Sequence, residues 1–234
     1  MEYKYCENRN YEDFASGRVL YHANGIPNFP VRLVNEIYRR CLQYSDKKTD
    51  ICLYDCCCGG GYSLTVLGLL NQDSIEKIIA SDIDNKMLEI ADKNLSLLTK
   101  NGIVHRINEI NSLYQQYHKD SHKGAIESAE RISALILKDI EVQLFQANAL
   151  QIDKMDIRPN IIFTDVPYGN LVQWKDGADQ VDCLLDSLEE ICGPDTIIAV
   201  SMDKSQKVKN NASFKRLEKH NIGKRKFEIY IYEK

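Results

Sequence analysis

Three consecutive glycines, Gly59-Gly60-Gly61, lie between the apolar run Ile51 to Tyr54 and a second apolar stretch, Tyr62 to Asn71. No other stretch constrains the fold as tightly. A buried strand runs into a glycine turn, and the turn runs directly into a buried helix. Glycine lets a backbone turn sharply and leaves no side chain between that backbone and a ligand. The helix N-terminus that follows offers unpaired N–H groups. A dinucleotide fingerprint counted from Gly59 needs glycine or alanine at position 64, where the chain has Leu64. A phosphate loop needs Gly-Lys-Ser/Thr, which is absent. The loop instead reads Asp55-x-x-x-Gly59-x-Gly61, with a carboxylate where the strand ends.

Strand and helix signals alternate along the rest of the chain. Strands are expected at 51–55, 77–82, 142–147, 160–165 and 196–202, and helices at 62–71, 85–100 and 180–191. The helix at 85–100 carries Leu88, Ala91, Leu95 and Leu98 on one face. Phe214 to Tyr232 reads as two strands around Asn221-Ile222-Gly223-Lys224. Such an order implies an α/β fold, a seven-stranded mostly parallel sheet with helices on both faces. Residues 1–48 form an N-terminal extension, with a helix from about Pro30 whose inner face is Val34, Ile37, Tyr38 and Cys41. Residues 103–140 read as an inserted helical hairpin. Its first helix carries Ile107, Ile110, Tyr114 and Tyr117, its second Ala129, Ile132, Ile136 and Ile140, and 119–124 is the polar link. These parts and a basic C-terminal hairpin at 203–234 make one domain spanning 1–234.

Composition narrows the function classes. The net charge of −4 argues against a globally basic nucleic-acid binder, yet residues 203–234 hold ten Lys/Arg against four Asp/Glu. That tail suits either a phosphate-facing patch or a solvated hairpin. The longest strongly apolar stretch, Leu64 to Leu70, is too short to span a bilayer, and the first 30 residues lack a signal-peptide core. A soluble cytoplasmic protein is expected, monomeric by default. Of the eight cysteines, Cys56, Cys57 and Cys58 are consecutive, which suits neither a disulfide framework nor a zinc cage. They read as small buried thiols in a reducing compartment. The five histidines form no ligand pattern, so no metal is expected.

Thr164-Asp165-Val166-Pro167-Tyr168-Gly169 closes the fourth strand. Asp165 can accept hydrogen bonds from an N–H-bearing base, Pro167 fixes the backbone, and Tyr168 can stack on a flat ring. The stretch resembles the Asp/Asn-Pro-Pro-Tyr motif of methyltransferases that alkylate a nitrogen of a planar substrate, with Val166 in place of the first proline. Asp55 at the glycine loop suits a cationic amino-acid end, such as that of S-adenosylmethionine. Asp82, closing the second strand, can take two ribose hydroxyls, while Asp84 either helps or caps the next helix. Asn148 after the third strand can bond an adenine amino group, though Asn is equally a turn residue. The cofactor set is therefore Asp55, Gly59, Gly61, Tyr62, Asp82, Asp84, Asn148 and Asp165. Catalysis falls to Asp165, Pro167 and Tyr168.

Glycine loop, ribose acid, adenine contact and Asp-x-Pro-Tyr follow one another at four successive strand ends. From about residue 50 to 202 that order resembles class I S-adenosylmethionine-dependent methyltransferases. Four segments look more narrowly like the AviRa-type 23S rRNA guanine methyltransferases, known from avilamycin resistance. They are SGRVLYHANGIPNFPVRLVNEIYRRCL (16–42), LYDCCCGGGYSLTVLGLL (53–70), TDVPYG (164–169) and RLEKHNIGKRK (216–226). Cys57 and Gly60 stand where proline and serine are expected in that family's loop, and both keep the loop small. The resemblance implies methyl transfer from S-adenosylmethionine to a ring or exocyclic nitrogen of guanine in large-subunit rRNA. Arg18, Arg32, Arg39, Arg40, Lys224 and Arg225 are then candidates for RNA phosphates. Alternatives are a protein glutamine or another RNA as substrate, and a non-catalytic cofactor-binding module.

Overall fold

The computed structural model describes residues 1–22, 28–152, 156–166, 181–209 and 211–233. Seven strands form one sheet: β1 (Ile51–Asp55), β2 (Ile75–Asp82), β3 (Glu141–Gln146), β4 (Ile161–Asp165), β5 (Ile197–Asp203), β6 (Phe214–Ile222) and β7 (Arg225–Tyr232). Their order is β3-β2-β1-β4-β5-β7-β6. The first five pair in parallel, and β7 runs antiparallel to both β5 and β6. The sheet read from the sequence is thus the sheet observed. Parallel strands covered on both faces need apolar side chains pointing both ways. Leu53, Ile161, Phe163, Ile197 and Ala199 face one core, while Tyr54, Ile162, Ile198 and Val200 face the other.

The helices are α1 (Val31–Tyr44), α2 (Tyr62–Leu70), α3 (Asn85–Ser96), α4 (Lys100–Tyr117), α5 (Asp120–Ser133) and α6 (Val181–Glu189). Helices α1 to α5 cover the first core, and Leu184, Leu185 and Leu188 of α6 cover the second. The expected inner face of α1 holds, since Val34, Ile37, Tyr38 and Cys41 are all fully buried.

Several boundaries differ from the sequence reading: the second helix of the insertion ends at Ser133, so Ile136 and Ile140 are buried beyond it and not on its face. Helix α3 stops at Ser96, not near residue 100, although Leu98 keeps the apolar step and is fully buried. A new helix starts at once, with Thr99 capping it through the Gly102 N–H at 3.0 Å. The close crossing needs a glycine: a Cβ on Gly102 would lie 1.9 Å from the Ser96 carbonyl oxygen. In the inserted hairpin, the polar stretch expected to be the link is the first turn of α5. Only His118 and Lys119 connect the helices, and His118 makes the reversal with φ 49°. Tyr117 is 52% exposed and does not join the core.

Candidate active site

The glycine loop is held from three sides. Gly61 caps α2 with φ 73°, and a Cβ there would lie 3.0 Å from the Ala91 Cα, so the position admits only glycine. Gly59 has φ 51° and open space around its missing Cβ, leaving its backbone approachable. From β2, the Asp82 carboxylate accepts the Gly59 N–H at 2.8 Å and the Asp84 N–H at 2.9 Å. From α3, the buried Asn94 donates to the Gly60 carbonyl at 2.8 Å. The same side chain exchanges two hydrogen bonds with the Tyr21 backbone, at 2.8 and 3.1 Å. Tyr62 joins this clasp by donating its hydroxyl to the Phe14 carbonyl at 2.8 Å. The N-terminal extension is therefore a wall of the loop.

Three carboxylates gather where β1, β2 and β4 end. Asp55 is buried and accepts the Cys57 N–H at 3.0 Å. Burial pushes its pKa up to about 7, the Asp82 and Asp165 charges add to the rise, and the nearby Thr164 hydroxyl offsets part of it. Asp82 is likewise raised by burial, against the pull of its two backbone donors. Burial carries Asp165 up to about 6, opposed by the Arg225 guanidinium and the Ser201 hydroxyl. Arg225 Nη1 reaches Asp165 Oδ2 at 3.3 Å. The other oxygen, Oδ1, is buried without a hydrogen-bond partner, as is Thr164 Oγ1. Buried acceptors normally find donors. This cluster is a set of acceptors and desolvated negative charge, suited to a cation carrying hydroxyls and N–H groups.

Asp84 caps α3, its Oδ1 accepting the Lys86 N–H at 2.9 Å, so the helix-cap reading of that residue is the observed one. Asn148 makes a turn, accepting the Leu150 N–H at 3.0 Å. Val166 is buried, and its N–H bonds the Ser201 carbonyl at 3.0 Å, extending β4 by one rung toward β5. Pro167 and Tyr168 lie outside the described residues. All eight cysteines are free thiols.

Most of the candidate RNA contacts are engaged within the fold. Arg40 is 2% exposed, and its guanidinium meets Glu36, Glu218 and the Glu2 carbonyl. Buried and fully bonded, it has nothing left for a phosphate, and the sequence reading of it is corrected. Arg225 lies 3.3 Å from the Asp165 carboxylate, with its side chain 20% exposed. Arg32 donates to the Cys6 carbonyl and lies 3.9 Å over the Tyr3 ring. Arg18 pairs with Glu12, and Arg39 lies 3.8 Å from Asp73. In the tail, Lys215, Arg216, Lys219 and Lys226 each pair with Glu228 or Glu233, while Lys224 is exposed at the hairpin turn. These four cations share two carboxylates, so the tail keeps a net positive charge.

The profile described as rRNA methyltransferase AviRa matches residues 1–225. The chain belongs to this family. It is 38% identical over 223 residues to a 23S rRNA (guanine(2535)-N(1))-methyltransferase of Streptomyces viridochromogenes, covering 91% of this chain and 88% of that protein. The structure of rRNA methyltransferase AviRa from the same organism superposes with a TM-score of 0.87 at 34% identity, covering 96% and 94% of the two chains. A putative methyltransferase of Escherichia coli, yhhF, shares the fold at a TM-score of 0.54 and 15% identity, covering 92% of each chain. Membership extends over the N-terminal extension and the helical insertion, so the wall formed by Phe14 and Tyr21 belongs to the matched region. The protein is accordingly a methyltransferase with the class I sheet. Among the described residues no helix is long and apolar enough to cross a membrane.

Sequence reasoning missed the roles of two residues here, Arg225 and Asn94, and that of Glu36 in the separate Arg40 network. Arg225 was assigned to RNA because it lies in a basic run. Asn94 and Glu36 carried a readable signal, each being a polar residue on the apolar face of a helix.

Proposed function

We propose that this chain methylates N1 of a guanine in 23S rRNA, using S-adenosylmethionine, with Asp165 as the group that receives the N1 proton. The buried, unpartnered Oδ1 of Asp165 at the end of β4 carries this reading. A carboxylate whose pKa burial raises to about 6 is ionised at neutral pH and is a better proton acceptor than an exposed one. The relative's printed name specifies N1, a ring nitrogen, and that atom carries the proton such an acceptor would take.

S-adenosylmethionine would supply a methyl carbon already activated by its sulfonium. Asp82 would hold its ribose hydroxyls through the lone pairs left after bonding Gly59 and Asp84. Ile83, 41% exposed beside Asp82, would offer apolar surface to the adenine, with Asn148 near its amino edge. Asp55 would face the amino-acid end. Asp165 orients the guanine by its N–H edge, and such orientation is most of what an already activated transfer requires. A guanine stacked in a helix cannot reach this pocket, so the target is unpaired or flipped out.

The test is incubation of the protein with labelled S-adenosylmethionine and, separately, protein-free 23S rRNA, large ribosomal subunits and total protein. Mass spectrometry of nuclease digests is expected to find 1-methylguanosine. Label on the exocyclic nitrogen, or on glutamine in the protein fraction, overturns the assignment.

A further inference from the structure

Arg225 is held in place by a path of contacts that has no evident use in RNA binding. It opens β7, opposite Asp203 of β5 and Ile222 of β6. Its guanidinium lies 5.0 Å over the ring of Phe29, which is buried. Phe29 in turn meets Phe163 of β4 edge-on, with centroids 5.6 Å apart and planes at 84°. Phe163 lies two residues before Asp165 on the same strand. The aromatic pair thus ties the arginine to the strand that carries the carboxylate. From there Nη1 reaches Asp165 Oδ2 at 3.3 Å, with the two side chains 20% and 26% exposed. Asp165 is also fixed from behind, since it pairs with Ser201 in the β4–β5 register.

We propose that Arg225 is a positioning residue of the methyl-transfer site: it holds one oxygen of Asp165 so that the other stays charged and faces the guanine N–H edge. The inference rests on Asp165 being the proton acceptor. Among the described residues, three groups face Asp165. Arg225 comes from β7, the Ser201 hydroxyl from β5, and the Asp55 carboxylate from β1. Arg225 is the one cation among them, and it offsets both the burial of Asp165 and the neighbouring negative charge. Planar and fixed by the Phe29 ring, a guanidinium sets the carboxylate's direction as well as its charge, which a lysine ammonium does not. The C-terminal hairpin thereby becomes part of the catalytic centre.

The experiment is a pH profile of kcat for the wild type, Arg225→Gln and Arg225→Lys, together with Asp165→Asn and the Asp165→Asn/Arg225→Gln double variant. In the wild type the rate should fall as pH drops through about 6. Loss of a neighbouring opposite charge should move that limb up by about one unit in Arg225→Gln, a loss of roughly tenfold on the acid side that recovers at alkaline pH. Arg225→Lys should restore part of the shift. The double variant should be no slower than Asp165→Asn alone. In the ligand-free protein, a 13C NMR titration of the Asp165 carboxyl should show the same upward displacement. An unshifted limb, or a uniform loss of RNA affinity with a shallower salt dependence, makes Arg225 a phosphate contact and overturns the proposal. Asp165→Asn with wild-type turnover overturns the assignment of Asp165 itself, whatever Arg225 does, so the two failures are distinguishable.

Discussion

The Asp82 carboxylate accepts the Gly59 backbone N–H at 2.8 Å, so the acid at the end of β2 also locks the glycine loop. Its second oxygen accepts the Asp84 N–H at 2.9 Å. Asparagine has only one acceptor oxygen and would turn its amide hydrogens toward one of these donors. Asp82→Asn is therefore expected to behave like Asp82→Ala, not like the wild type. Both should weaken S-adenosylmethionine binding by at least about tenfold, or ~1.4 kcal/mol, in isothermal titration calorimetry. Wild-type affinity in the asparagine variant would remove the double role.

Asp55 makes stability and cofactor affinity depend on pH in opposite directions. Its folded-state pKa, about 7, lies above the ordinary 3.8. Below about pH 4 it is protonated in both folded and unfolded chains, and its contribution is fully present. As pH rises toward about 7 the unfolded chain ionises first, so the ligand-free protein loses stability across that window. Denaturant titrations should show the wild type losing ground to Asp55→Asn from pH 4 to 7. A cationic ligand favours the ionised form, so S-adenosylmethionine affinity should climb over the same range. Parallel stability curves for the two proteins would show that Asp55 does not titrate there.

Asn94 binds the Tyr21 backbone and the Gly60 carbonyl through three hydrogen bonds in a fully buried position. Asn94→Ala leaves those backbone groups without partners, a cost of about 3 kcal/mol. For a chain of this length that corresponds to a Tm lower by roughly 6–12 °C. Calorimetry should show the drop, and saturating S-adenosylmethionine should recover part of it. An unchanged Tm would mean that the extension does not depend on this clasp.

Arg40 separates a structural cation from an RNA contact. Arg40→Ala leaves the fully buried Glu36 carboxylate without its counter-charge, though still bonded to three backbone N–H groups, which costs about 3 kcal/mol. The expected outcome is a large loss of stability, with RNA affinity of the folded fraction keeping the wild-type dependence on salt. A salt slope reduced by about one would restore Arg40 to the RNA surface.

The sheet was legible because parallel strands buried on both faces leave apolar runs, and glycine or acid punctuation marks their ends. Asp55, Asp82 and Asp165 were found for the same reason: each stands directly after such a run. The end of α3 was not legible, because Leu98 continues the apolar step through a break enforced by Gly102 and Ser96. The surroundings of Arg40 and Arg225 were not legible, because charge in a sequence carries no direction. Whether an arginine meets phosphate or a partly buried carboxylate depends on partners far along the chain, here Glu218 and Asp165. Asn94 is the instructive miss. It sits beside Ala91 and Leu95 on the inward face of α3, where a side-chain amide needs a buried backbone partner.

The Arg40–Glu218 pair joins residues 178 positions apart. Around it, Glu36 gathers the N–H groups of Lys4, Tyr5 and Cys6, and Glu218 takes the hydroxyl of Tyr44 and the ring of His220. During synthesis the first forty residues are made long before β6 exists. Arg40 therefore has no second carboxylate until the C-terminal hairpin has emerged. The contact that fastens α1 to the C-terminal hairpin forms only once β6 has been made, and a nascent chain halted before β6 lacks the acid that completes it.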